Sequence, residues 1–450
     1  MYELAIIGGG PAGYNAAHKA AVNGLSVILF EKGELGGVCL NEGCIPTKTL
    51  LYSAKLFEHA TLSQKYGITT EGATADYGKI ADRKDKVVKK LVGAVRVKMR
   101  DSGVEVIKQE AFICGSSADE GFVIKAADQE FQARRLLLCA GSSAVIPPIP
   151  GIAEAGDIIV TARELLSLRE RPESLVIIGG GVIGMEFASF FNSLGTKVAV
   201  VEMLPEILGG MDAEQAAMLR GAYAKKGVEF HLGCRVSEIK GGEVCFVTPD
   251  GQEMSVAGDK ILLSTGRRPN IKGYGLENIG VKTGRGVEVD DHMRTSVPGV
   301  YAAGDITGFS MLAHTAVREA EVAVDNMLGR DETMEYNAIP GVVYTNPEMA
   351  GAGLTEDKAP GCSVLKLPMA YSGRFVAENE RGEGQCKIIF DPQTRLVKGV
   401  HMLGSYSSEI IQTACVAISQ GITVDNLHKV VFPHPTVSEI IKETLGTECH

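Results

Sequence analysis

Along this chain, apolar and polar positions fall into blocks, and one block order occurs twice. Residues 3–32 read ELAIIGGGPAGYNAAHKAAVNGLSVILFEK: a short unbroken apolar run, a glycine cluster, an Ala-rich stretch and a second apolar run closing on Glu31. That order predicts strand, turn, helix, strand. Residues 174–208, SLVIIGGGVIGMEFASFFNSLGTKVAVVEMLPEIL, repeat it and close on Glu202. Between and after these units, RRLLLCAGSSAVIPPIPG (134–151) and KILLSTGRRPN (260–270) each place an apolar strand before a glycine turn. VYAAGDITGFSMLAHTAVREAEVAVDNMLG (300–329) adds a strand, Gly304-Asp305 at its end, and an amphipathic helix. Beyond residue 336 the pattern changes to strands such as CKIIFDP and VKGVHMLG and the helix SSEIIQTACVAISQG, with no glycine cluster of the earlier kind.

The glycine spacing gives the two repeats a chemistry. Gly8, Gly10 and Gly13 form GxGxxG, with Glu31 at 18 positions beyond the last glycine; Gly179, Gly181, Gly184 and Glu202 stand in the same relation. In such a unit the first glycine permits the turn, the second lets backbone approach a pyrophosphate, and the third brings helix close to strand. The phosphate then meets free amides at the helix N-terminus. Two dinucleotide sites in one chain imply two cofactors. Glu202 suits ribose hydroxyls and repels a 2′-phosphate, and no arginine closely follows it, so the second site should prefer NAD over NADP. Asp305 stands where it can meet a polyol or ribose, or cap its own turn.

A length of 450 residues exceeds one core and suggests several domains. The formal charge of −10 argues against a nonspecific nucleic-acid binder or a polybasic membrane-surface protein. No stretch reads as an export leader or membrane span, and ten scattered cysteines do not make a secreted disulfide framework, so a reducing, cytoplasmic setting is expected. A disulfide in that setting would be a catalytic one. LGGVCLNEGCIPTKTLLY offers a candidate in Cys39 and Cys44. Residues five apart on an ideal helix rise roughly 7.5 Å and lie on different sides, so a bond between them needs a distorted turn. Gly43 and Pro46 allow an irregular loop entering a helix. On these residues alone, redox pair and buried packing residues both stay open. Lys48, four positions past Cys44, shares its face if the helix continues.

Taken together, these motifs resemble the flavin-dependent pyridine nucleotide-disulfide oxidoreductases over essentially the whole chain, and CLNEGCIPTK is most similar to the dihydrolipoamide dehydrogenase branch. The resemblance implies an α/β protein with two Rossmann-like dinucleotide-binding domains and a C-terminal α+β dimerisation domain. The expected divisions are 1–148 for FAD, 149–268 for NAD, 269–335 returning to the FAD site and 336–450 at the interface. It assigns Gly8, Gly10, Gly13, Glu31, Lys48, Gly141 and Asp305 to FAD, and Gly179, Gly181, Gly184, Glu202 and Gly266 to NAD; no metal is expected. Cys39 becomes the interchange thiol and Cys44 the flavin-facing one, with Lys48 paired to Glu186. VVFPHPTVSEIIKE matches the family's HPT element, with His434 as acid/base and Glu439 as its orienting carboxylate.

The implied activity is oxidation of dihydrolipoamide on the lipoyl carrier domain of a 2-oxoacid dehydrogenase or glycine cleavage system, with reduction of NAD, by a homodimer binding neither nucleic acid nor membrane. A reductase of another low-molecular-weight disulfide and a non-catalytic NAD/FAD redox sensor are the alternatives; the intact Cys39, Cys44, His434 and Glu439 set weighs against the sensor. The ending TECH lacks the cysteine pair of mercuric reductases, and VVEMLPE lacks the basic residues of NADPH-dependent glutathione and trypanothione reductases. Glu42 stands at a usually apolar place, where an inward carboxylate would oppose thiolate formation. Cys139 stands where threonine is common.

Overall fold

A computed structural model of the chain describes residues 1–117, 121–380 and 382–449, in two compact units. The first comprises Met1–Thr49, Ala81–Val145 and Gly266–Glu335. Its five-stranded sheet runs in the order Val300–Ala302, Leu136–Leu138, Leu4–Ile7, Val27–Phe30, Glu105–Ile107, and every neighbouring pair is parallel. Leu4–Ile7 and Val27–Phe30 are buried at every position, as parallel strands covered on both faces should be. Ala12, Ala16, Ala17 and Ala20 of the helix Pro11–Val22 are buried, and their small side chains let it lie close on its neighbours. The strands Ala111–Ser117, Gly121–Ala126 and Gln129–Ala133 add an antiparallel sheet to this unit.

The second unit comprises Leu50–Ile80, Ile146–Thr265 and Tyr336–His450. Its parallel sheet runs Ile159–Val160, Lys260–Leu263, Ser174–Ile178, Lys197–Glu202, Glu229–Leu232. Read from that end the order matches the first sheet: exit strand, fingerprint strand, acid-bearing strand, then a third. The internal repeat seen in the glycines is thus a repeat of topology. An antiparallel meander, Arg235–Lys240, Glu243–Val247 and Glu253–Ala257, lies within the second unit.

The C-terminal part of that unit forms an antiparallel five-stranded sheet in the order Gly341–Val343, Met349–Gly353, Val397–Leu403, Gln385–Phe390, Ser363–Pro368. Ile388, Phe390, Val400 and Met402 from its strands form one core with Ile411 and Ala414 of the helix Ser407–Ser419 and Ile440 and Ile441 of Glu439–Gly446.

Candidate active site

Each glycine of the first fingerprint has a separate steric reason. Gly8 has φ +105°, and a Cβ there would stand 2.2 Å from the Cys139 carbonyl oxygen. A Cβ on Gly13 would stand 1.8 Å from the Gly8 carbonyl oxygen, so the helix can approach the strand only without one. At Gly10 the nearest atom to such a carbon is 3.8 Å away, which leaves backbone open to a ligand. The second fingerprint repeats this: Gly179 against the Ser264 carbonyl at 2.4 Å, Gly184 against the Gly179 carbonyl at 2.2 Å, and open space beside Gly181. Gly10 and Gly181 are the N-caps of the helices that follow, and neither turn receives a side-chain cap. First-turn amides therefore remain for an anion. The open glycines and uncapped helix starts fit two dinucleotide pyrophosphates.

The two terminal acids are wired alike. Glu31 accepts from the Gly9 amide at 2.7 Å and the Gly33 amide at 2.7 Å; Glu202 accepts from the Gly180 amide at 2.6 Å and the Leu204 amide at 2.7 Å. Each carboxylate thus binds its own glycine turn and keeps lone pairs for ribose hydroxyls. Glu202 is only 9% exposed, so a phosphate beside it would face a poorly screened like charge.

The cysteine loop is more helical than its glycine and proline suggest. Gly37–Asn41 form a short helix carrying Cys39, the chain breaks at Glu42 and Gly43, and a second helix begins at Cys44 and runs to Thr61. The break makes the pairing possible: Cys39 and Cys44 do not share a regular helix, and their thiols hydrogen-bond. Sulfurs in such contact can close a disulfide on oxidation. Gly36 and Gly37 bring the loop in, both at positive φ, with the Gly36 amide donating to the Gly9 carbonyl at 2.8 Å. A Cβ on Gly37 would stand 2.6 Å from the Gly10 Cα, so the cysteine loop and the first nucleotide turn touch backbone to backbone.

The hydrogen bond to Cys44, then burial and the Cys44 charge, push the Cys39 thiol well above the usual range; Lys48 pulls it down and Asp305 pushes it up. Lys48 is on the Cys44 helix, as its spacing predicts. Burial raises the Tyr14 phenol, and the charges of Cys39 and Cys44 raise it further. Asp305 opens a turn after the strand Val300–Ala302 and accepts a hydrogen bond from the Ser142 hydroxyl. Arg267 donates to the Ser142 Oγ at 2.7 Å and its carbonyl at 2.6 Å, with its Nε 3.9 Å from Asp305. Gly304 donates its amide to Glu319, which is fully buried, at 2.6 Å. Gly141 accepts from the Asn270 amide at 2.9 Å, and Gly266 from the Val145 amide at 3.0 Å, both within the first unit.

In the second unit, His434 Nδ1 lies 3.0 Å from Glu439 Oε1, and Glu439 Oε2 accepts from the Thr436 amide at 2.8 Å. The Thr436 amide, and after it His434, holds the Glu439 carboxyl below its ordinary range. With Nδ1 engaged, Nε2 is the ring nitrogen left facing outward, on a side chain 79% exposed. Glu186 is buried on the helix Val182–Ser193 and accepts from the Tyr344 amide at 3.1 Å. Cys39, Cys44, Lys48 and Asp305 thus gather in the first unit, and His434 with Glu439, and separately Glu186, belong to the second. The residue patterns had not pointed to Ser142, Arg267, Glu319 or Tyr14. The signals were present as the first serine of CAGSS, the first arginine of TGRRPN, an acid on the buried face of an amphipathic helix, and an aromatic one residue past a fingerprint.

Fold and site define a thiol–disulfide oxidoreductase that works with two dinucleotides. The chain belongs to the pyridine nucleotide-disulphide oxidoreductase family, whose model matches residues 2–320, while the model of the family's dimerisation domain matches 339–445. It is 36% identical to the dihydrolipoyl dehydrogenase of Geobacillus stearothermophilus, over 100% of this chain and 97% of that protein. With the dihydrolipoyl dehydrogenase of Thermus scotoductus the identity is 37%, over 98% and 96% of the two chains. Among solved structures, LpdA from Mycobacterium tuberculosis superposes with a TM-score of 0.89 at 28% identity, covering 100% of both chains. The HOCl-induced flavoprotein disulfide reductase RclA from Escherichia coli follows at 0.87 and 27%, covering 99% of both. The family and its dihydrolipoyl dehydrogenases use FAD and NAD(H), and the dimerisation-domain match supports a homodimer. Among the described residues no helix is long and apolar enough to cross a membrane.

Proposed function

We propose that this chain is a cytoplasmic, homodimeric, NAD-dependent dihydrolipoamide dehydrogenase acting on the lipoyl carrier domain of a 2-oxoacid dehydrogenase or glycine cleavage system. The observation that carries this reading is the hydrogen-bonded Cys39–Cys44 pair, packed through Gly37 directly against the first nucleotide turn. Residues 1–148 and 269–335 serve FAD, 149–268 serve NAD, and 336–450 form the interface. Gly8, Gly10, Gly13, Glu31, Gly141 and Asp305 hold FAD; Gly179, Gly181, Gly184, Glu202 and Gly266 hold NAD.

His434, oriented through Nδ1 by Glu439, takes a proton from a substrate thiol at Nε2, and the resulting thiolate attacks Cys39 Sγ. In the oxidised state, where the pair is a disulfide, the Cys39–Cys44 bond breaks as a mixed disulfide between substrate and Cys39 forms, and Cys44 leaves as thiolate. The substrate's second thiol then displaces Cys39, leaving lipoamide and a reduced pair. Lys48 stabilises negative charge beside Cys44. FAD, when bound, supplies the two-electron relay by which the reduced pair reaches NAD.

A second reading, a reductase of another small disulfide, is favoured by the likeness to the E. coli flavoprotein disulfide reductase. Steady-state rates with dihydrolipoamide, glutathione disulfide and Hg(II), each with NAD(H) and NADP(H), separate the two. Dihydrolipoamide with NAD should dominate, with NADP disfavoured by roughly 100-fold for loss of the ribose contact and repulsion at Glu202. Faster turnover of glutathione disulfide, or comparable efficiency with NADPH, would reject this assignment.

A further inference from the structure

Lys387 lies in the strand Gln385–Phe390 with Cys386, Ile388, Ile389 and Phe390, all buried, and its side chain is 1% exposed. In the sheet it stands between His401 and Lys366, with Gly351 beyond His401, so three basic side chains line one row across neighbouring strands. The first turn of the helix Ala213–Lys225 answers this row. Lys387 Nζ lies 2.7 Å from Asp212, 2.8 Å from Glu356 and 2.9 Å from Glu214, and Lys366 shares Glu214 at 2.8 Å and Glu356 at 3.0 Å. Asp212, itself 2% exposed, caps the helix by accepting from the Gln215 amide at 3.1 Å. The fully buried Gln215 donates to the His401 carbonyl at 3.0 Å.

An ammonium taken out of water is tolerated only where carboxylates compensate it, and apolar residues of similar volume often serve stability equally well. The cluster's use therefore lies in what it fixes. Asp212 ends the loop that begins at Glu202, the acid of the second fingerprint. Along that loop the Leu208 amide donates to the Gly180 carbonyl at 2.9 Å, and the Gly233 amide donates to the Leu204 carbonyl at 2.9 Å. Glu206 pairs with Arg220 of the same helix at 2.8 Å. Between the ribose acid and the helix start the loop is tied at Leu204, Glu206 and Leu208, and the far tie is Lys387.

We propose that Lys387 is a positioning residue for the nicotinamide dinucleotide: through Asp212 it sets where the loop 203–212, and with it Glu202 and Gly180, stands when NAD binds. This rests on the assignment of the second fingerprint to NAD. The test is calorimetric titration of the FAD-loaded enzyme with NADH, alongside steady-state kinetics. Lys387→Met should weaken NADH about tenfold and raise the KM for NAD, while kcat at saturating NAD, FAD content and the KM for dihydrolipoamide stay within twofold. A merely structural role would lower FAD content or kcat without that split. A folded Lys387→Met enzyme that binds NADH as the wild type does overturns the proposal. If that variant does not fold, Asp212→Asn, which keeps a helix-capping oxygen, should weaken NADH severalfold, and unchanged affinity there overturns the proposal equally. Wild-type enzyme that carries FAD but binds no NADH overturns the nucleotide reading itself.

Discussion

Gly37→Ala tests whether the cysteine loop depends on its contact with the first nucleotide turn. Gly37 has φ +58°, where an L side chain costs about 1 kcal/mol. Its added carbon would also stand 2.6 Å from the Gly10 Cα, whereas carbons in ordinary contact sit roughly 3.5–4.0 Å apart. The struck atom is main chain and a Cβ is fixed by its own backbone, so no rotamer change relieves the collision, and the loop or the fingerprint must retreat by about 1 Å. Overpacking of this kind costs about 1–3 kcal/mol. A total near 3 kcal/mol, expressed against FAD, is roughly a hundredfold in affinity. Gly24→Ala is the matched control: its φ is +92°, but nothing lies within 4 Å of the added carbon. FAD-to-protein stoichiometry after dilution and gel filtration, with a thermal melt of each variant, gives the comparison. Gly37→Ala should lose FAD and most dihydrolipoamide oxidation, and Gly24→Ala should lose about 1 kcal/mol of stability alone. Equal behaviour of the two variants would refute the reasoning.

Two further predictions use the histidines. His434→Gln should slow dithiol oxidation by roughly a hundred- to ten-thousandfold with FAD binding intact, and Glu439→Gln less. If each site draws His434 from the partner subunit, heterodimers of Cys44→Ser and His434→Gln chains regain up to about half of wild-type activity; inactive heterodimers with normal FAD would confine His434 to its own chain. Burial holds His401 below the ordinary imidazole value while its Nε2 donates to the Leu354 carbonyl at 2.8 Å. The unfolded chain therefore takes up that proton first, so the stability tied to neutral His401 is complete above about pH 6.5 and is lost as the pH falls below it. Melting temperatures between pH 5 and 8 should fall less steeply on the acid side in His401→Gln, and an unchanged slope would show that His401 does not carry the effect.

The nucleotide units were legible because their determinants are local: an apolar run, three glycines at fixed spacing and an acid at the next strand end describe a backbone path within some 30 residues. The cysteine loop was legible as chemistry and less so as geometry. Gly43 and Pro46 suggested an irregular loop, yet Pro46 sits near the start of a helix, where its missing amide matters little, and only Glu42 and Gly43 break the path. The Gly36-Gly37 contact depends on Gly10, distant in sequence, and no window of residues reveals it. Lys387 was hidden for a related reason. CKIIFDP reads as a strand, and the carboxylates that pair with its buried lysine come from residues 212, 214 and 356.

Glu31 and Glu202 hold their own glycine turns by the same pair of amide contacts. The molecule thus contains its own internal standard. Glu31→Gln and Glu202→Gln remove the same charge from the same wiring, so loop effects common to both sites cancel when the two are compared. Under the proposed assignment of FAD to the first turn and NAD to the second, what is left of the difference reports on the dinucleotides themselves. Two uses of one binding device could then be measured against each other in a single chain.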